Sequence, residues 1–375
     1  MKFSTLSIIA TALAQCASAK KIFIDNDGLA PMQLLFPLAA GHEVVGLSMS
    51  FGSASVVDTM GMASSILDTY NLSSCVPLHI GAQQPLLRTN ETFQAWEKLF
   101  GNLVWQGAWA PGYVDAYTWD NVSSYDPTEG AIALINAVKA NKDTDPITIY
   151  TGGLLTTVAQ ALSIYPQMVD EVEGLYMMGG YVDTQLAAAT GDAITIDINT
   201  DINLIQDPEA AQMVLTAGWK ELYIGANVTN YLVPSQELYD KIIARAGSLE
   251  IIRDTPYMTW VSTLLGTGNY SENNDQQTLP FWDEVVSAFM AWPEMLLETT
   301  DIKVAVDTSY YSPFYGSLRA WQPDWAPTEG YKVANATLAD KIDDARFYDI
   351  LLDYYFTNWT QYCTTGVEGL TNVVL

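Results

Sequence analysis

Short apolar runs rich in β-branched and aromatic residues recur along this chain, and a helical pattern separates each from the next. Lys21-Ile22-Phe23-Ile24, Glu43-Val44-Val45-Gly46-Leu47-Ser48-Met49, Ile147-Thr148-Ile149-Tyr150, Gly174-Leu175-Tyr176-Met177-Met178 and Leu222-Tyr223-Ile224 read as strands. Residues 57–70 read as a helix, and within residues 131–140 Ala131, Leu134, Ile135 and Val138 fall on one helical face. Asp207-Pro208-Glu209 opens another helix, with Asp207 as N-cap and Pro208 in the first turn. Such alternation builds βαβ units, so the predicted fold class is α/β, with a mainly parallel sheet flanked by helices. The 375 residues exceed one average domain, yet no low-complexity linker, charge block or internal repeat divides them. Single α/β domains of this size are common, and one domain is expected. Beyond residue 300 the pattern is less regular. Tyr310-Tyr311-Ser312-Pro313-Phe314-Tyr315 and residues 321–325 are aromatic and loop-like, fitting either a lid or a packing arm.

The first strand carries the chemistry. It runs into Asp25-Asn26-Asp27 and so places two carboxylates near the carboxyl end of a strand, where open α/β sheets form ligand crevices. Ionised carboxylates this close repel each other, and the pair calls for a cation, a donor network or a bound polyol. A solvated strand-to-loop turn is the plainer alternative. Other strands end in glycine, at Gly152-Gly153, Gly179-Gly180 and Gly225, where the backbone either approaches a ligand or turns tightly.

The N-terminus combines Met1-Lys2-Phe3, a short apolar stretch up to Ala14 and Ala17-Ser18-Ala19 before Lys20. Residues 1–19 therefore read as a secretion signal, residues 20–375 as the mature domain, and an extracellular location is expected. No later segment reaches the ~20 apolar residues that a membrane helix needs. Asn-x-Ser/Thr acceptors at Asn71, Asn90, Asn121, Asn227, Asn269, Asn335 and Asn358 suggest a glycosylated surface. With Cys16 in the signal, Cys75 and Cys363 remain, either paired in an oxidising compartment or held as two buried thiols. The 43 acidic and 16 basic residues give a net charge of −27. That balance excludes a nucleic-acid partner and an anionic membrane surface, both of which demand clustered lysine and arginine. His42, in a helix-to-strand turn, and His79, in a strand-like run, read as structural, which argues against a Ser-His-Asp hydrolase and a histidine-rich zinc site. No P-loop or G-x-G-x-x-G stretch is present.

In order along the chain, Ile24-Asp25-Asn26-Asp27, Val76-Pro77-Leu78-His79-Ile80-Gly81-Ala82 with Pro85-Leu86, Gly152-Gly153-Leu154-Leu155-Thr156-Thr157-Val158-Ala159, Met177-Met178-Gly179-Gly180, residues 201–211 and Trp282-Asp283 resemble the motifs of the inosine/uridine-preferring nucleoside hydrolases, and within them the secreted fungal members. The resemblance covers most of residues 20–300. It implies a single α/β domain around a mixed, mostly parallel sheet, often assembled into homo-oligomers. It also implies hydrolysis of the N-glycosidic bond of small-molecule ribonucleosides at a site where calcium holds the ribose diol and the attacking water. Carried over residue by residue, it suggests Asp27 as metal ligand and general base, Asp283 as a second ligand and ribose contact, and Gly152 as a carbonyl ligand. Asn203 would hold ribose hydroxyls, and Asp201 stands where the family usually has Glu. Trp282, in place of a histidine, resembles the purine-specific branch, in which the base stacks between aromatics; Trp105 or Trp109 would supply the opposite face.

The family motif continues from Asp-x-Asp to Pro-Gly-x-Asp-Asp, whereas this chain has Gly28-Leu29-Ala30-Pro31-Met32, and Ser53 replaces an asparagine after the second strand. The calcium set is thus reduced to Asp27, Asp283 and the Gly152 carbonyl, with Asp25 as a further candidate. Two other readings follow: a non-catalytic relative that binds a nucleoside or another polyol, and a hydrolase of another glycosidic substrate that uses a carboxylate pair without metal.

Overall fold

The computed structural model describes residues 19–103, 105–182, 201–248, 250–251 and 280–372. Most of the expected secretion signal, and the acceptor Asn269, lie outside them. Nine strands form one sheet: β1 (Lys21–Asn26), β2 (Glu43–Met49), β3 (Leu78–Ile80), β4 (Thr148–Thr151), β5 (Gly174–Met177), β6 (Leu222–Ile224), β7 (Leu296–Val306), β8 (Leu318–Trp321) and β9 (Ala334–Ile342), in the order β3-β2-β1-β4-β5-β6-β9-β7-β8. The pairs from β3 to β9 are parallel; β7 pairs antiparallel with both β9 and β8. A mixed, mostly parallel sheet flanked by helices is the architecture expected from the strand–helix alternation.

The five strands predicted from apolar runs are β1, β2, β4, β5 and β6. The predicted helices are Val56–Thr69, where Ser55 accepts the Asp58 N–H, Gly130–Asn141, and Pro208–Leu215, where Asp207 accepts the Ala210 N–H. Burial follows the two-sided covering of a parallel sheet: Ile22, Phe23 and Ile24 are fully enclosed, so neighbouring residues of one strand serve opposite faces.

The irregular stretch after residue 300 holds the antiparallel extension. In its aromatic run Tyr315 is a packing residue, buried with its hydroxyl on Glu209 at 2.6 Å and its ring 4.7 Å from the Arg88 guanidinium carbon, while Tyr311 is exposed. Cys75 and Cys363 are joined by a disulfide. His42 and His79 are buried and bonded to backbone, His42 to the Ala291 carbonyl and His79 to that of Thr128. Among the described residues no helix is long and apolar enough to cross a membrane.

The strand order reverses between β1 and β4, since the chain runs outward from β1 through β2 to β3 and then returns to β4 on the other side. The crevice beyond the carboxyl ends at such a reversal is the usual ligand position of an open α/β sheet. β1 delivers Asn26 and Asp27 there, β4 delivers Gly152 and Gly153, and β5 delivers Gly179 and Gly180.

Candidate active site

Asp27 follows directly on β1 and is 2 % exposed, one carboxylate oxygen accepting the Ser53 N–H at 2.8 Å. Burial pushes its carboxyl up to about 7, the Asp201 carboxylate adds to the rise, and the bonds from Ser53 oppose it. The backbone around it is glycine for steric reasons. A Cβ on Gly153 would stand 2.7 Å from the Asp27 side chain and its N, and one on Gly52 would collide with the carboxylate.

Asp201 caps the turn Ile202–Ile205. Its carboxylate accepts the Gly180 N–H and, at 3.2 Å, the Asn203 N–H. Burial raises it to about 6, and these backbone donors hold it below what burial alone would give. Gly179 is needed on two counts: its φ is +123°, and a Cβ would stand 3.0 Å from both Asp201 oxygens. Asn203 donates Nδ2 to the carbonyls of Gly152 and Met178, each at 3.1 Å, while its Oδ1 is buried without a hydrogen-bond partner among the described residues. A buried acceptor left without a partner is a place for a ligand hydroxyl.

Asp283 opens the helix Trp282–Ala291. Its Oδ2 accepts Nδ2 of Asn26 at 3.2 Å and Nε2 of Gln33 at 3.0 Å, and the Tyr150 hydroxyl donates to its backbone carbonyl at 3.0 Å. Burial raises the Asp283 carboxyl well above its ordinary range, with Glu284 and Asp27 adding to the rise; Glu284 is itself pushed up to about 7 by burial. A Cβ on Gly152 would stand 3.0 Å from Asp283 Oδ2. Gly152 thus touches Asp283 and Asn203, Gly153 touches Asp27, and the predicted residues Asp27, Gly152, Asp201, Asn203 and Asp283 share one site. Asn26 and Gln33 were not among them. Gln33 had a signal, as the one polar side chain in the apolar helix Pro31–Ala39.

The remaining candidates stand apart in different ways. Both oxygens of Asp25 are buried without a hydrogen-bond partner among the described residues. Burial pushes its carboxyl up to about 7, and the hydroxyls of Ser48, Thr157 and Ser50 around it offset that only in part. Trp282 is partly buried beside Asp283, its Nε1 donating to Asn230 Oδ1 at 2.8 Å. Trp105 is 53 % exposed, next to a turn that packs on Gly52: the Ala108 N–H donates to the Gly52 carbonyl at 3.0 Å. Trp109 is 5 % exposed between the rings of Phe51 and Phe93, with centroids 5.4 and 5.1 Å away, so it packs in the core and leaves no open face for a base.

Calcium takes about six to eight oxygen ligands. Here Asp283 Oδ2 faces two amide N–H groups, the Gly152 carbonyl accepts Asn203, and Asp27 accepts the Ser53 N–H. Where the family motif carries its Asp-Asp pair stand Pro31 and Met32, both buried in an apolar helix. Among the described residues no three His, Cys, Asp or Glu side chains are arranged to hold one ion. Asp27, Asp283, Gly152 and Asp25 do not make up a calcium shell, and the donor set does not fit the ion implied by the resemblance.

Comparison with known proteins adds to this geometry. The model of the family "inosine-uridine preferring nucleoside hydrolase" matches residues 22–349. An uncharacterised protein of Schizosaccharomyces pombe is 42 % identical over 361 residues, covering 96 % of this chain and 91 % of its own. The inosine-uridine preferring nucleoside hydrolase of Crithidia fasciculata is 24 % identical over 226 residues, 60 % of this chain and 65 % of that one. Among solved structures, a plant nucleoside hydrolase superposes with a TM-score of 0.65 at 17 % identity, covering 90 % of this chain and 98 % of its own, a likeness of fold.

Proposed function

The chain belongs to the inosine-uridine preferring nucleoside hydrolase family, and from that premise we propose that it hydrolyses the N-glycosidic bond of ribonucleosides to ribose and free base. The observation that carries this reading is the convergence of Asp27, Asp201, Asn203 and Asp283 from separate chain segments at the switch point of the sheet. Asp27 takes a proton from a water as that water adds to the anomeric carbon of ribose. The carbon–nitrogen bond breaks, its electron pair leaves with the base, and the base takes a proton from solvent. Positive charge develops on the sugar in such cleavages, and the carboxylates of Asp201 and Asp283 with Oδ1 of Asn203 offset it. A base held near 7 by burial suits proton abstraction at neutral pH.

Purine nucleosides are the preferred substrates in this reading, because a Trp282 ring stacked on the base gains more from the larger one. Export is part of the same proposal, supported by the leader-like N-terminus and by the Cys75–Cys363 bond, which suits an oxidising compartment. A second reading, binding of a nucleoside or polyol without cleavage, is favoured by Pro31 and Met32 in place of the Asp-Asp pair.

Base release from inosine, adenosine, guanosine and uridine decides between them. Asp27→Ala is expected to abolish release while circular dichroism stays native. Full activity in that variant removes Asp27 as the base. No release from any nucleoside by the folded wild type supports the binding reading.

A further inference from the structure

One backbone donor fixes a chain of amides beside Asp283. The Gly28 N–H donates to Oδ1 of Asn26 at 2.8 Å, which turns Nδ2 of Asn26 toward Gln33 and Asp283. Nδ2 then donates to Oε1 of Gln33 at 2.8 Å, and this leaves Nε2 of Gln33 as the atom that faces Asp283. Asn26 is fully buried and Gln33 is 3 % exposed, so solvent does not compete for these bonds. Both amides present N–H to the same oxygen, Oδ2. A cation approaching that oxygen would meet the positive ends of two N–H dipoles.

We propose that the Asn26–Gln33 amide pair takes the place of a divalent cation as the partner of Asp283, so that this site holds its polyol ligand without metal. Asn26 and Gln33 are then positioning residues: they fix the carboxylate and leave the ligand's hydroxyls to Asp283, Asp201 and Asn203. The inference uses the sugar site of the proposed hydrolysis, but its test reads metal binding and stability alone. It can therefore fail while the hydrolase reading stands, and the reverse.

Terbium luminescence excited through tryptophan, with thermal melts in calcium and in EDTA, tests it on the intact protein. The wild type should melt within about 1 °C in the two conditions. Any terbium signal from its acidic surface should be the same in Asp283→Asn. Gln33→Glu sets a second carboxylate against Asp283, so its melting temperature should fall in EDTA, calcium should restore it, and a saturable terbium phase should emerge. A saturable wild-type phase that Asp283→Asn removes overturns the proposal, as does a calcium-dependent rise of more than ~2 °C that the same variant loses. A Gln33→Glu protein as stable in EDTA as the wild type, with no response to calcium, also overturns it. Should Gln33→Glu fail to fold, the two wild-type outcomes still decide.

Discussion

Gly153 has no room for a methyl group. A Cβ there would press on the backbone N and side chain of Asp27 from 2.7 Å, and the only relief is to move the residue proposed as base. Displacing a reacting group by an ångström costs on the order of a hundredfold in rate. Gly153→Ala is therefore expected to lose turnover by about that factor with an unchanged fold. Gly28→Ala, whose Cβ would meet Ser53 at an ordinary 3.6 Å, should keep most of it. Equal activity in the two variants would mean that the position of Asp27 is not what limits the rate. The contrast also explains what could be read from the sequence at this scale. Asp27 drew notice as a carboxylate at a strand end, whereas Asp201, Asn203 and Asp283 were named only through the resemblance of their motifs, and the fold brings all four close together. Gln33 offered only the weak signal of one polar side chain in an apolar helix, and Asn26 was masked by the acids on either side of it, so the role of neither amide showed until its partners were known.

The helix Pro31–Ala39 is tied to Trp282–Ala291 by a bond that a proline makes available. Pro37 has no N–H, so it leaves the carbonyl of Gln33, four residues earlier, without its intrahelical donor. The Ser287 hydroxyl donates to that carbonyl at 2.8 Å, and thereby locks the backbone of Gln33 beside Asp283. Ser287→Ala is expected to cost about 1 kcal/mol in urea denaturation, since it orphans a buried acceptor. In a Pro37→Ala background the helix supplies the missing donor, and the same change should cost less by about 0.5–1 kcal/mol. Additive costs would show that the two positions are not coupled. Such dependence between distant segments is one reason that elements were easier to read than their joints. The five parallel strands β1, β2, β4, β5 and β6 were plain because their residues are mostly buried and their apolar runs are continuous. β7 is exposed through its Glu298-Thr299-Thr300-Asp301 stretch, and β9 fills its buried positions largely with alanine, so neither offered a strong period to read.

Across the whole molecule, buried acids set how stability varies with pH. Burial raises Asp25, Asp27 and Glu284 to about 7 and Asp201 to about 6. Each binds its proton more tightly folded than unfolded, so its stabilising contribution is complete below about pH 4 and is lost as pH rises through 6 to 7. Asp307 and Glu294, held low against their neighbours Arg319 and Arg346, act with the opposite sign, but their contribution is lost only under acid conditions. His42 and His79, pulled low by burial, also act with the opposite sign, and they do so inside this window. Between pH 5 and 8 the four raised carboxyls outweigh these two imidazoles, and the net charge of −27 adds repulsion in the same direction. The melting temperature should therefore fall steadily over that range. Concentrated salt should remove the part due to surface repulsion and leave the part due to burial, because salt screens exposed charges much more than buried ones. Asp25→Asn, a neutral replacement of similar shape, should flatten the slope and raise the melting temperature at pH 8. A flat or rising curve would mean that these acids do not take up protons in the folded state. In the proposed hydrolysis Asp27 acts in its ionised form, so kcat/KM is expected to climb through the same interval in which stability declines. Opposed slopes of melting temperature and turnover between pH 5 and 8 would trace both to the same buried carboxylates, and parallel slopes would separate them.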